Sequence, residues 1–148
     1  MKNIFESFLK QNKYLPLSLW NSFTLNHGKV NKDCEKIVKN TVGNKSGLYI
    51  YRKRGRILYV GKAKLFSDRI RSHFHESYRE VSGDTKYKTW HKFFSDKNNI
   101  GQIEILYKEI KEEQERQILE KMLDYVLCPE FNDFRMEIEN RNTKTRRK

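Results

Sequence analysis

Cysteine, proline and glycine are scarce in this chain of 148 residues, which contains two, two and seven of them respectively. Cys34 and Cys128 lie far apart, and neither has a neighbouring cysteine at the spacing of a metal site. Neither a zinc site nor a disulfide framework is therefore indicated, and a reducing, cytoplasmic setting is the simpler expectation. No linker-like stretch and no internal repeat is visible, so the organisation must come from the periodicity of the apolar residues.

Long apolar runs are also missing. No segment approaches the roughly 20 apolar residues that a helix needs to cross a bilayer. The first residues lack the apolar block and cleavage site of a signal peptide. We therefore expect no membrane partner.

Acidic residues are outnumbered. The chain has 19 aspartates and glutamates and 31 lysines and arginines, which gives a formal net charge of +12. Such a balance favours a polyanionic partner, above all nucleic acid. Aromatic residues make up 13% of the chain, and their apolar area argues against a disordered basic protein. The length suits one core, so we expect one domain with extensions.

Apolar spacing predicts a helix near the N-terminus, an apolar loop around Pro16, and a short helix capped by Asn31. The predicted buried side of that short helix comprises Val30, Cys34, Ile37 and Val38. We therefore divide the chain into three parts: a helical extension over residues 1–46, a module over 47–134, and a basic tail over 135–148. The last segment, "RNTKTRRK", has five basic residues and no acidic one and is expected to be disordered without a polyanion.

The segments "GLYIYR" and "RILYVG" alternate β-branched or aromatic residues and predict two antiparallel strands. If Gly55 takes the left-handed conformation in a three-residue loop, Tyr49 faces Tyr59. That register puts Ile57 beside the phenols on one side of the hairpin. A two-residue loop would separate Tyr49 from Tyr59.

The second half of the chain alternates helical and strand patterns. A helix is predicted to begin near Ser67, with Arg69 and His73 along the edge of its apolar stripe. A polar loop is expected over 76–87, followed by a helix that contributes Trp90 and Phe94 to the core, and then by a third strand. Pro129 ends a last helix, whose predicted buried face comprises Ile118, Leu119, Met122, Leu123 and Val126. A separate polar stripe on that helix comprises Glu113, Gln117, Glu120 and Asp124.

These residues carry a resemblance to a known family. Gly47-Leu48-Tyr49, Tyr59-Val60-Gly61, Arg69, Glu120 and Asn132 occur in the order and spacing typical of the GIY-YIG nuclease superfamily. The stretch "LYVGKAKLFSDRIRSHF" is especially similar to the N-terminal incision domain of the bacterial excision-repair endonuclease. The resemblance implies an α/β (α+β) fold, with a small three-stranded antiparallel sheet flanked by helices.

The resemblance also implies hydrolysis of phosphodiester bonds with one Mg²⁺ or Mn²⁺ ion per active site, held by Glu120. Glu109 and Glu113 are alternative ligands. The residues to which the family's roles would transfer are Tyr49, Tyr59, Lys62, Arg69, His73, Glu120 and Asn132. Among them, Arg69 would stabilise charge on the phosphate, because a planar guanidinium can bind two phosphate oxygens.

Phosphodiester hydrolysis also requires an activated water. A phenol with an ordinary pKa near 10 is ionised in only about one molecule per thousand at neutral pH. Lys62, Arg69 and the metal are expected to lower that pKa by favouring the phenolate. Our hypothesis is that Tyr49 is the general base, assisted by Tyr59 or Lys62.

Basic residues cluster around the predicted hairpin turn. They could form an ordinary solvated turn, but their density near the predicted site favours contact with the DNA backbone. The predicted DNA contacts are Arg52, Lys53, Arg54, Arg56, Lys64 and Arg71.

The sequence thus predicts a metal-dependent DNA endonuclease. Restriction-type or mobile-element-type double-strand cleavage is favoured, and it would require a homodimer or tetramer with two active sites. The alternatives are a structure-specific, repair-type nicking nuclease, a non-catalytic nucleic-acid-binding module, and a nuclease directed at RNA.

Overall fold

The computed structural model describes the backbone of residues 1–79 and 85–146, and the side chains of residues 1–79 and 88–140. The helices are α1 (Lys2–Gln11), α2 (Lys32–Val42), α3 (Phe66–Tyr78), α4 (Thr85–Ser95), α5 (Glu113–Leu127) and α6 (Glu130–Arg146). The strands are β1 (Asn21–His27), β2 (Gly47–Lys53), β3 (Arg56–Ala63) and β4 (Gly101–Glu109). A single 3-10 turn, Leu17–Leu19, precedes β1.

The strands form one antiparallel sheet with the order β1-β4-β2-β3. The sequence predicts three of these strands, and the fourth, β1, comes from the segment predicted to be an extension. Its hydrogen-bonded pairing with β4 runs from Asn21 opposite Tyr107 to His27 opposite Gly101. Phe23, Leu25 and His27 alternate on the inward side of β1, but only two of them are apolar, which is too short a pattern to predict a strand.

The hairpin turn between β2 and β3 is tighter than the sequence analysis expects. Arg54 and Gly55 have φ angles of 50° and 80° and form a two-residue turn of the primed type. Beyond the turn, Tyr51 pairs with Tyr59, and Tyr49 pairs with Gly61. The predicted pairing of Tyr49 with Tyr59 is wrong, because the two-residue turn shifts the register by one residue and a β-bulge shifts it by one more.

A bulge changes the face of the residues next to this turn. Arg52 pairs with Ile57 while Tyr51 pairs with Tyr59, so Leu58 is an extra residue in β3. Leu58 consequently packs with the phenols, and Ile57 packs on the opposite side of the sheet. The prediction that Ile57 shares the phenol side is wrong for this reason.

Apolar residues cover both faces of the sheet. On one face β2 and β3 pack against α3 and α4, and Trp90 and Phe94 are buried there, as the sequence predicts. On the other face Leu48 and Ile50 pack with Leu119 and Leu123 of α5. The active-site candidates of β2 and β3 therefore lie between two helical layers.

Several helix details differ from the sequence analysis. The cap of α2 is Asn31, as predicted, and its side chain accepts a hydrogen bond from the Asp33 amide at 3.0 Å. In contrast, α3 begins at Phe66, so Ser67 lies inside the helix and does not cap it. The residues predicted to be buried but found exposed are Val30, Ile37 and Ile118.

The remaining predictions concern the loop and the tail. Helix α3 continues to Tyr78 and α4 begins at Thr85, which shortens the predicted loop, and residues 80–84 lie outside the described residues. The backbone of residues 135–146 is helical in α6. This helix includes residues 141–146, which the composition predicts to be disordered, and residues 147–148 lie outside the described residues. Across the described ranges, no helix combines the length and apolar character needed to cross a bilayer.

Candidate active site

The two motif glycines allow unusually close contacts. A Cβ atom on Gly47 would lie 2.0 Å from the carbonyl oxygen of Lys108 in the neighbouring strand β4. A Cβ atom on Gly61 would lie 2.5 Å from Cζ and 2.6 Å from the hydroxyl oxygen of Tyr49, and 2.7 Å from Cε1 of Tyr59. Gly61 thus leaves the space that the two phenol rings occupy, while Gly47 allows β4 to approach β2.

Three tyrosines form the centre of the site. The ring centroid of Tyr49 lies 5.5 Å from that of Tyr51 and 5.9 Å from that of Tyr59, and the last two are 5.8 Å apart. Tyr49 and Tyr51 are fully buried, whereas Tyr59 is partly exposed. Tyr51 is not among the predicted site residues, although its position two residues after Tyr49 puts it on the same face of β2.

His73 of α3 contacts two of these phenols. Its Nδ1 atom lies 3.3 Å from the hydroxyl oxygen of Tyr49 and 3.5 Å from that of Tyr51. The imidazole stacks on Trp90, with 4.0 Å between centroids, and the indole Nε1 donates a hydrogen bond of 2.9 Å to the His73 carbonyl. Packing on Trp90 therefore fixes the ring that faces the Tyr49 hydroxyl.

Arg69 lies one helical turn before His73 and is half-buried. Its guanidinium lies near the hydroxyls of Tyr49 and Tyr59, and its positive charge acts to lower the pKa of both phenols. The Tyr49 hydroxyl thus has a guanidinium and an imidazole nitrogen as neighbours.

Burial dominates the ionisation of the phenols. It raises the pKa of Tyr49 well above its ordinary value, the neighbouring Tyr59 and Tyr51 raise it further, and Arg69 lowers it only in part. Burial also raises the pKa of Tyr59 against the opposing charge of Arg69. The charge of Arg69 alone therefore does not bring about the expected lowering of these pKa values, because desolvation outweighs it.

Glu120 brings α5 to the same site. Its carboxylate is half-buried, and burial raises its pKa, while the positive charges of Lys62 and Arg69 act in the opposite direction. These charges indicate that the carboxylate faces the cations of β3 and α3. Within the described part of the chain, the Glu120 carboxylate makes no hydrogen bond or ion pair.

The alternative ligands lie elsewhere. Glu109 is exposed at the end of β4, with one carboxylate oxygen 3.9 Å from Nζ of Lys111. Glu113 is exposed in the first turn of α5, seven residues before Glu120 and thus about 10 Å away along the helix. The arrangement of charges favours Glu120 over both.

Asn132 is linked to Glu120 indirectly, by a hydrogen bond to a neighbouring aspartate. Its Nδ2 atom donates to both carboxylate oxygens of Asp124, each at 2.9 Å. Asp124 lies one turn after Glu120 on α5, and its negative charge contributes to the raised pKa of Glu120. From the sequence, Asp124 is predicted to lie on the polar stripe of this helix, without a role in the site.

The donor atoms fit a magnesium ion better than a transition metal. No group of three or more histidine, cysteine, aspartate or glutamate side chains suited to a metal occurs within the described ranges. Mg²⁺ retains several waters and often takes only one or two protein carboxylates together with substrate phosphate. Glu120, half-buried and without a hydrogen-bonding partner among the described residues, matches that requirement.

A positively charged groove lies beside these residues. It has a volume of about 390 Å³, and its lining includes Lys62, Lys64, Arg69 and Ser72. Lys62 and Lys64 are exposed. The groove is therefore open to an anionic chain at the point where Arg69 reaches the phenols.

Several basic residues of the hairpin turn are already engaged within the protein. Arg52 pairs with Glu104, and Lys53 donates to the Ile100 carbonyl. Arg56 forms two hydrogen bonds with Glu130, at 2.8 and 2.9 Å.

The turn is also distant from the groove. Arg56 and Lys62 are six residues apart on β3, which corresponds to about 20 Å. Arg54 is exposed in the turn, and Arg71 is exposed on α3, 3.7 Å from Asp68. Contact of these residues with DNA stays a prediction, but the turn does not adjoin the groove.

Comparison with known proteins agrees with the motif. The sequence model of the UvrC-like GIY-YIG domain matches residues 45–133. No curated protein matches the chain with significant similarity.

Solved structures similar to this chain include the N-terminal GIY-YIG endonuclease domain of UvrC from Thermotoga maritima bound to magnesium. It has 22% identity and a TM-score of 0.47, and the match covers 69% of this chain and 98% of that domain. A point mutant of the same domain, bound to its catalytic divalent cation, has 20% identity and a TM-score of 0.48, with 69% and 98% coverage. The match of the family model extends over more than half of the sequence, and on that basis the chain belongs to the UvrC-like GIY-YIG domain family.

Proposed function

We propose that this protein is a divalent-metal-dependent endonuclease that cleaves DNA. The observation that carries the proposal is the group of Arg69, Tyr49 and His73 beside a cationic groove, with the Glu120 carboxylate near the same cations. Phosphodiester hydrolysis needs a group that takes a proton from water, positive charge for the phosphate oxygens, and a carboxylate for the metal. The set supplies all three.

Tyr49 is proposed to act as a neutral phenol. Burial disfavours its phenolate, but Nδ1 of His73 is within reach of its hydroxyl proton. As a water attacks phosphorus and the bond from phosphorus to the leaving ester oxygen breaks, the Tyr49 oxygen accepts one proton from that water and passes its own proton to His73. The leaving oxygen takes up a proton from solvent. This exchange creates no buried phenolate, and the proton comes to rest on the imidazole.

Three other residues, Arg69, Lys62 and Glu120, are proposed to bind the phosphate and the metal. Arg69 is proposed to donate to the oxygens of the scissile phosphate, and Lys62 to contact the same phosphate from the exposed side of the groove. Glu120 would hold the magnesium ion, which when bound polarises a phosphate oxygen and lowers the pKa of coordinated water. Asn132 would fix Asp124 beside Glu120 and thereby affect metal affinity.

We further propose that the protein nicks one strand of a structured DNA. The UvrC-like family supports this alternative better than restriction-type double-strand cleavage, which the sequence analysis favours. One chain carries one candidate site, which is enough for a nick, whereas a double-strand break would require a dimer or tetramer. The two free cysteines, Cys34 and Cys128, agree with action in the reducing cytoplasm.

The test is incubation of the protein with supercoiled and linear plasmid in magnesium or EDTA. We expect open circles from the supercoiled form, only in magnesium, and no cleavage by the Glu120→Gln variant. Linear product at early times would support double-strand cleavage instead. Binding without any cleavage would identify a non-catalytic module, and selective degradation of RNA offered in parallel would refute DNA as the substrate.

A further inference from the structure

An apolar groove of about 770 Å³ lies between α1 and α5. It adjoins the cationic groove, with which it shares Lys62, and its volume is in the range of sites for small organic groups. The lining residues that matter here are Phe5, Lys62, Ile118, Lys121, Met122 and Tyr125.

The lining is apolar and exposed at positions that a folded core would normally bury. Ile118 is 61% exposed and Tyr125 is 51% exposed, although the periodicity of α5 assigns Ile118 to the buried face. The Phe5 ring contacts the Tyr125 ring edge to face, with centroids 5.7 Å apart. Phe5 therefore supports Tyr125 from α1, while about half of the tyrosine stays open to solvent.

The apolar groove continues from the proposed catalytic groove. Lys62 lines both of them, and Lys121 is near enough to Glu120 to lower its pKa. Lys62 and Lys121 thus lie between the apolar lining and the candidate metal site. A DNA strand whose phosphates follow these cations would pass directly over Tyr125 and Ile118.

We propose that this apolar groove binds an unpaired nucleobase of the strand that is cut, next to the scissile phosphate. A nucleobase offers a flat apolar face for Tyr125 and Ile118, and its own phosphates suit Lys62 and Lys121. A second copy of the chain would bring a net charge of +12 to the same two lysines, which disfavours it as the occupant. The inference rests on the proposed function and specifies its substrate: DNA with an unpaired nucleotide at the cleavage position.

The experiment uses the full chain, in calcium so that cleavage does not intervene. Its probes are a fully paired duplex and the same duplex with one unpaired 2-aminopurine. Stacking should quench the fluorescence of the unpaired base, and the unpaired probe should bind more tightly. Tyr125→Ala and Ile118→Ala should each weaken that binding by about tenfold and restore the fluorescence, with little effect on the paired duplex. Ile37→Ala, on the exposed side of α2, is the matched control and should change neither readout.

Equal binding of both probes, or unchanged quenching in the Tyr125 and Ile118 variants, would overturn the inference. Loss of a dimer in these variants, measured by light scattering, with no change in DNA binding would assign the groove to a second copy instead. Plasmid cleavage in magnesium is measured separately. If the protein cleaves DNA but does not prefer an unpaired base, the proposed function stands and this inference is refuted. If the protein does not cleave DNA but still quenches the unpaired base, base binding by the groove is supported and the catalytic proposal is refuted.

Discussion

The hydroxyl oxygen of Tyr49 lies 3.3 Å from Nδ1 of His73, in a cluster where the tyrosine is fully buried and the histidine is stacked on Trp90. This contact joins the central strand β2 to α3. In the proposed mechanism, Nδ1 of His73 accepts the phenolic proton, so that no buried negative charge forms on Tyr49. Tyr51 reaches the same nitrogen at 3.5 Å, but it is not part of the recognised motif. Replacing each tyrosine by phenylalanine therefore compares a motif hydroxyl with a non-motif hydroxyl beside the same imidazole.

Tyr49→Phe should lower the single-turnover cleavage rate by about 100-fold or more, because general acid–base groups contribute on that scale. Tyr51→Phe removes an equally buried hydroxyl beside the same imidazole and should stay within a few-fold of the wild type. The measurement is the cleavage of a labelled duplex at saturating protein. Equal losses in the two variants would refute a specific role for Tyr49.

Gly61→Ala should abolish cleavage, because the new Cβ would lie 2.5 Å from Cζ of Tyr49 and force the ring away from His73. Overpacking of this kind costs about 1–3 kcal/mol of unfolding free energy, so the protein should still fold. Thermal unfolding and cleavage are measured together. Gly55→Asn is the control, since asparagine tolerates the positive φ and no atom lies within 4 Å of the Gly55 Cβ position. Full activity of Gly61→Ala would contradict the packing argument.

As the pH is lowered, the protein should lose magnesium affinity at a higher pH than a site with an ordinary, exposed glutamate would. Burial raises the pKa of Glu120, and metal binding requires the deprotonated carboxylate, so affinity is retained above that raised pKa and lost below it. Lys62→Gln removes a charge that lowers this pKa and should move the loss to still higher pH. Lys64→Gln, which removes another exposed lysine of the same groove, should leave its position unchanged. The measurement is the magnesium dependence of the cleavage rate across pH, and coincident curves for the two variants would contradict the assignment.

His27 should make the fold sensitive to acid. Both ring nitrogens are buried without a hydrogen-bond partner among the described residues, and burial lowers the pKa of His27 to about 3. The unfolded chain binds this proton below about pH 6.5, whereas the folded protein resists it, so stability decreases as the pH falls from there towards 3. The full difference corresponds to about 5 kcal/mol as an upper limit.

The variant His27→Phe tests this expectation. It suits a position surrounded by the rings of Tyr51, Phe74 and Phe94. Urea unfolding at pH 7 and pH 5 should show a smaller loss of stability on acidification than in the wild type. Parallel pH dependence in the two proteins would show that His27 is not responsible.

Neutralising basic residues should separate DNA contacts from structural ion pairs. Lys64→Gln should weaken binding to all DNA sequences and reduce the slope of log affinity against log salt by about one unit. Arg56→Gln should mainly lower the unfolding free energy, because Arg56 holds Glu130 at the start of α6. Salt titrations of binding and thermal unfolding check both. A slope change for Arg56→Gln with unaltered stability would restore the turn as a DNA contact.

Local patterns in the sequence are sufficient for much of this fold. The Asn31 cap, the strands beginning at Gly47 and Gly101, and the buried Trp90 follow from periodicity and side-chain chemistry that act over a few residues. The motif spacing likewise selects Tyr49 and Arg69, which the structure brings close together. The strand β1 escapes prediction because its polar sequence is stabilised by pairing with β4, about 80 residues away.

The amino-acid sequence by itself determined the net positive charge, the order of the main elements and the residues that mark the family. Only the tertiary structure decided the hairpin register, the inclusion of Tyr51 and Asp124, and the direction in which the Tyr49 pKa moves. The physical reason is that desolvation depends on what distant segments place around a group. Cations near Tyr49 in sequence favour its phenolate, but burial between the sheet and α3 favours the neutral phenol more strongly.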